Sequence, residues 1–119
     1  MSDADTEMLA EKSCVPCRGG VPSLPVERQQ ELLGQLSGWD IVQGHHLVRD
    51  FRFNDFVSAL AFTNEAGRIA EEEAHHPEIK VGWGHAEVTI WTHKIDGLTE
   101  SDFVLAAKLD TIQGPLPPA

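Results

Sequence analysis

The feature that most constrains the fold of this 119-residue chain is a long segment of helical period with a fixed stop, set between two stretches of strand period. Phe56, Leu60, Thr63, Ala66 and Ala70 recur at three- and four-residue steps, and Val57, Ala61 and Ile69 widen the stripe. That spacing predicts an amphipathic helix. Asn54 or Asp55 can cap its start, because a short polar side chain accepts a bond from an otherwise unpaired first-turn N–H. The helix must stop near Ala74, since Pro77 sterically bars His76 from the helical region. On the N-terminal side, Leu47, Arg49, Phe51 and Phe53 share one parity while Val48, Asp50 and Arg52 take the other, which predicts a strand over 46–53. On the C-terminal side, 79–83 and 86–93 read as two strands around a turn at 82–84. Ala86, Val88 and Ile90 fall on one face of the second; Glu87, Thr89, Trp91 and His93 fall on the other.

The flanks complete the order. Leu32, Leu33 and Leu36 mark a first helix over 26–36, ended by Gly38, and Trp39–Val42 reads as a short strand. Thr99 and Asp102 have capping-box spacing, which opens a last helix through about Leu109. Helix, two strands, helix, two strands, helix predicts an α+β fold: a four-stranded antiparallel sheet with three helices packed on one face. The strand 46–53, with its large alternate apolar residues, is expected at a sheet edge, where it would pair with its copy in a second chain. Residues 1–22 lack a steady hydrophobic period and read as a flexible arm carrying a Cys-x-x-Cys. Residues 23–113 form the domain, and 114–119, Pro-rich, form a disordered tail.

Composition narrows the function. Hydrophobic residues make up 41% and charged residues 24%, an ordinary globular balance, and the length suits one domain. Nineteen acidic against nine basic residues give a net charge of −10, which repels phosphate backbones and argues against direct nucleic-acid binding. The longest apolar run, Phe103–Ala107, is too short to span a bilayer. The acidic first dozen residues do not resemble a signal peptide, so the expected location is the cytoplasm.

The chemistry concentrates at the end of the long helix. Of six histidines, His75 and His76 sit side by side there, and His93 lies at the end of a strand that can pack back on them. Glu71, Glu72 and Glu73 fill the last helical turn, where the dipole disfavours each negative charge by about 0.3–1 kcal/mol. Such local violations gather at functional sites. Glu71 precedes His75 by four residues and Glu72 precedes His76 by four, so each carboxylate can face an imidazole; a solvated acidic helix end with two surface histidines is the plainer alternative. No set of side chains has metal-site spacing, and no metal is expected. Cys14 and Cys17 can supply half a zinc site, form a disulfide or have no role. His45 and His46 read as surface turn residues. Trp39, Trp83 and Trp91 read as core residues, with Trp91 singled out for sharing a strand face with His93.

Glu71-Glu72-Glu73-Ala74-His75-His76-Pro77-Glu78, then Val88–His93, then Gly97-Leu98-Thr99-Glu100-Ser101-Asp102-Phe103 together resemble the pterin-4a-carbinolamine dehydratase family. The resemblance extends over about Leu24 to Asp110 and includes Gly38-Trp39 and Phe51-x-Phe53; the Cys-x-x-Cys arm is similar to that of bacterial and plant-like members. It implies an α+β fold, dimers or tetramers, and loss of water from 4a-hydroxytetrahydropterin to give quinonoid dihydropterin. That reaction recycles the pterin after aromatic amino acid hydroxylation, which makes a hydroxylase a candidate partner. It implies His75, His76, His93 and Glu71 as catalytic residues, and Trp39, His76 and Asp102 as substrate-binding residues, with no cofactor. Histidine suits the task, because both proton transfers need groups that titrate near neutrality. Ile79 and Gly84 depart from the family's aromatic and asparagine, beside the expected pterin pocket. The family also includes non-catalytic relatives that serve as transcriptional coactivators or as assembly factors for enzymes such as Rubisco.

Overall fold

A computed structural model describes residues 9–15 and 22–112. Its elements run α1 (Val26–Leu33), β1 (Asp40–Val42), β2 (His46–Arg52), α2 (Phe56–Glu73), β3 (Glu78–Gly82), β4 (His85–Ile90) and α3 (Glu100–Asp110). The strands form one antiparallel sheet in the order β1-β2-β4-β3. The expected α+β architecture is therefore present, with one helical turn besides at residues 9–11.

Alternation decides which sheet face is covered. Leu47 and Phe51 of β2 and Ala86, Val88 and Ile90 of β4 are buried against the helices. The register sets Leu47 opposite Ile90 and Phe51 opposite Ala86, so these side chains form one apolar surface. The intervening residues, Val48, Asp50, Glu87 and Thr89, face away. Phe62, Ala66 and Ala70 of α2 and almost the whole of α3 close the core. The apolar run Phe103–Ala107 reads as a helix with no polar face because it is covered on all sides.

Arg49 shares the parity of Leu47 and Phe51 without breaking the core. Its guanidinium lies 4.3 Å above the Phe51 ring and reaches Asp110 at 2.8 Å and the Ser37 carbonyl at 2.7 Å. Gly38, at φ +83°, lets the chain pass beneath it; a Cβ there would fall 2.9 Å from the guanidinium.

Four expectations are corrected. The strand 46–53 is not an edge: β2 lies inside the sheet between β1 and β4, so the edges are short β1 and β3. Helix α1 ends at Leu33, capped by Gly34, and reaches neither Leu36 nor Gly38. Trp83 is exposed at the hairpin turn rather than buried. Finally, the described part of the expected flexible arm is packed on the domain. Leu9 is buried in the core, Lys108 Nζ donates to the Ala10 carbonyl at 2.7 Å, and Lys12 pairs with Glu100 at 2.7 Å. One apolar side chain in a core pocket holds a segment that has no period of its own. Cys17 and the tail 114–119 lie outside the described residues.

Candidate active site

The end of α2 is built to turn the histidines in different directions. Ala74 takes the left-handed conformation, φ 55°, and the His75 N–H returns to the Ala70 carbonyl at 3.1 Å. This reversal carries His75 inward, where its Nε2 lies 2.6 Å from Oδ1 of Asp102, and leaves His76 outside, its Nε2 3.0 Å from Glu71 Oε1. Both imidazoles thus have carboxylate partners, but not those of four-residue spacing. Glu71 serves His76, Asp102 serves His75, and Glu72 is taken by Arg68 at 2.7 Å. The chain leaves the helical path before an i,i+4 Glu–His pair can form.

Asp102 is fully buried. Its Oδ2 accepts from Thr92 Oγ1 and from the Thr99 N–H, both at 2.8 Å, and closes the capping box of α3. Helix cap and histidine partner are one residue. Against an ionised carboxylate, which only accepts, the His75 ring donates from Nε2, and in its neutral form the lone pair then stands on Nδ1.

His93 sits in the turn after β4, held between Thr92 and Gly97, whose backbones pair at 2.9 and 3.3 Å. Its ring stacks on Trp91, centroids 4.3 Å apart and 7° from parallel. Stacking engages the ring face and leaves both nitrogens at its edge. His75, His76, His93, Trp91 and Thr92 line one cavity of about 380 Å³, a volume suited to a small bicyclic ligand.

The cavity has walls that the sequence did not reveal. Cys14 and Val15, from the supposed arm, line it with Glu73 and Lys94. The Cys14 N–H donates to Glu73 at 2.8 Å, and the Val15 N–H donates to Ser101 Oγ at 2.8 Å. Glu73 also lies 3.6 Å from Lys108, so this carboxylate at a helix C-terminus has two compensating partners. Burial, and then the charge of Glu73, push the Cys14 thiol up to about 12. Cys14 is therefore a neutral wall at physiological pH. In the sequence, Glu73 stands out in the run of three glutamates and Cys14 in the Cys-x-x-Cys, while Val15 and Lys94 carry no signal.

Trp39 is not at the cavity. It lies in the core, edge-on to Phe51, with its indole N–H donated to Asp110 at 2.9 Å. Neither Ile79 nor Gly84 lines the cavity either: Ile79 packs against the core and Gly84 makes the β3–β4 turn at φ +79°. Among the described residues, no three His, Cys, Asp or Glu side chains are grouped to hold a metal ion. No described helix is long and apolar enough to cross a membrane.

Comparison with known proteins identifies the family. The family model described as Pterin 4 alpha carbinolamine dehydratase matches residues 22–112. The chain belongs to the pterin-4a-carbinolamine dehydratase family. The activity for which the family is named is that of a hydro-lyase. A relative from Rubrobacter xylanophilus, provisionally named a pterin-4-alpha-carbinolamine dehydratase, is 61% identical over 104 residues, 87% of this chain and 97% of its own. Another with the same provisional name, from Rickettsia bellii, is 47% identical over 106 residues, 88% of this chain and 94% of its own. The crystal structure of a transcriptional coactivator/pterin dehydratase from Brucella melitensis superposes with a TM-score of 0.70 at 36% identity, over 74% of this chain and 95% of that one.

Proposed function

We propose that the protein removes water from 4a-hydroxytetrahydropterin to give quinonoid dihydropterin, with histidines carrying both proton transfers. The observation that carries this reading is the pairing of His75 with buried Asp102 in the cavity where His93 also lies. With Nε2–H committed to Asp102, His75 offers Nδ1 as the base that takes the proton from the ring nitrogen. Asp102 stabilises the imidazolium that results. His93 supplies a proton to the departing 4a-hydroxyl, which leaves as water, and the electron pair of the broken N–H bond forms the new C=N bond. His76, held by Glu71, binds the pterin at the exposed side of the cavity. Acid–base assistance of this kind is worth about 10²–10⁴-fold.

The same reading has the protein act in the cytoplasm and assemble with copies of itself. Phe56, Val57 and Leu60 of α2 are exposed apolar residues suited to a helix-mediated contact between chains. Light scattering at micromolar concentration reads the assembly. Turnover is tested with 4a-hydroxytetrahydropterin generated in the assay. The expected result is dehydration well above the uncatalysed rate, lowered at least about tenfold in His93→Ala. A wild-type rate equal to the background would overturn the enzymatic reading in favour of a non-catalytic binding role.

A further inference from the structure

The ring of His93 is held by contacts that close on themselves. One face stacks on Trp91. Trp91 is in turn met by His45, with centroids 5.4 Å apart, and by His46 at 6.1 Å. His45 Nε2 then lies 2.7 Å from Oδ1 of Asp96, which belongs to the same turn as His93. The Asp96 N–H returns to the His93 carbonyl at 3.2 Å. From His93 the circuit runs through Trp91, His45 and Asp96 back to His93. It ties the β1–β2 turn to the turn that carries a cavity histidine.

We propose that His45 and Asp96 are positioning residues that hold the His93 imidazole against Trp91; their effect on turnover rests on the dehydratase reading above.

The chemistry of the clasp fixes its donors. The Asp96 carboxylate accepts, so His45 Nε2 donates, and the other nitrogen of His45 faces His46 Nδ1 at 3.0 Å. One proton bridges those two nitrogens. Burial and the neighbouring His45 lower the pKa of His46, which favours its neutral form. A neutral His45 accepts from His46, and a charged His45 donates to it. In both states the bond from Nε2 to Asp96 persists. Asp96 holds φ +53°, a conformation that Asp, Asn and Gly tolerate and most residues do not. The pair is solvent-facing, Asp96 being 86% exposed, so it adds little to global stability. Its consequence is local: where the His93 ring points.

The test uses His45→Ala, Asp96→Gly and Asp96→Asn. Glycine removes the carboxylate while keeping the left-handed turn, and asparagine keeps both the turn and an accepting oxygen. Proton–carbon correlation spectra of the histidine rings, with His93 assigned by its loss in His93→Gln, report the upfield displacement that stacking on an indole imposes. Thermal unfolding controls for global damage. The expected result is loss of that displacement in His45→Ala and Asp96→Gly, its retention in Asp96→Asn, and an unchanged unfolding temperature. The value of kcat should fall about tenfold in the first two, with KM little changed, as a small misplacement of a reacting group produces. Unmoved His93 signals in His45→Ala and Asp96→Gly overturn the proposal, whether or not kcat changes. If the wild type shows no turnover while the His93 signals still move, the clasp stands and the dehydratase reading alone fails.

Discussion

Asp102 carries two loads at once, and substituting it separates them. Oδ1 meets His75 at 2.6 Å, while Oδ2 accepts from Thr92 and Thr99 at 2.8 Å each. In Asp102→Asn only one oxygen remains. If it takes the Oδ2 place, Thr92 and Thr99 stay satisfied and the amide N–H faces His75 Nε2. That nitrogen must then accept, so the ring proton moves to Nδ1 and the base is lost. The opposite rotamer orphans the buried Thr92 hydroxyl and the half-buried Thr99 N–H at about 1–3 kcal/mol each, so the first arrangement wins. Asp102→Asn should therefore cost about 1–2 kcal/mol of stability and about 10²–10⁴-fold in kcat. Asp102→Ala strands the Thr92 hydroxyl and the Thr99 N–H whose bond closes the capping box, at about 1–3 kcal/mol each, for about 2–6 kcal/mol in total. With a urea slope of about 2 kcal/mol per molar, its midpoint should fall by about 2 M. Urea unfolding followed by far-ultraviolet circular dichroism, beside turnover of the folded variants, measures both. An Asp102→Asn protein with wild-type kcat, or an Asp102→Ala midpoint lowered by less than about 0.5 M, would refute the reasoning.

Other parts of the structure make their own predictions. Cys14, at about 12 against an ordinary 9.0, should be alkylated by iodoacetamide about 1,000-fold more slowly than a free thiol at pH 8 in a Cys17→Ser background, with normal reactivity in urea. Rapid labelling of the folded chain would show that the segment detaches. Burial raises the pKa of Asp110 despite the bonds from Trp39 and Arg49, so its contribution is complete below the unfolded value of about 3.9 and declines as pH rises through the higher folded value. The stability of wild type relative to Asp110→Asn should accordingly fall between pH 4 and neutrality, read from urea midpoints; a flat or rising difference refutes the shift. Trp39→Phe, which loses the bond to Asp110, should lower stability by about 1–3 kcal/mol while KM stays at the wild-type value; a raised KM would return Trp39 to the substrate site. Gly38→Ala, at φ +83° and 2.9 Å from the Arg49 guanidinium, should cost about 1–3 kcal/mol, checked by thermal unfolding.

What the sequence determined is what spacing along the chain can express. The period of 56–70 placed α2 and Pro77 ended it. The alternation of Ala86, Val88 and Ile90 set the buried face of β4, and Thr99 with Asp102 set the start of α3. The same local logic gathered His75, His76 and His93 as one candidate site, and all three line one cavity. Tertiary structure decided the rest. Periodicity fixes which face of a strand is apolar but not which strand lies beside it, so β2 was expected at an edge and lies inside the sheet. Trp39 is a core residue, as read from the sequence, but the partner of its indole N–H, Asp110, is 71 residues away. The partner of His75 is 27 residues away and that of the Cys14 N–H is 59 away, distances at which no helical or strand repeat carries information. Helix-end spacing offered Glu71 to His75, but one left-handed residue, Ala74, redirected the chain, and packing of α3 brought Asp102 to it instead. The N-terminal segment shows the same division. It has no pattern to read because a single buried side chain, Leu9, and hydrogen bonds to α2 and α3 hold it, and those partners exist only once the domain has folded.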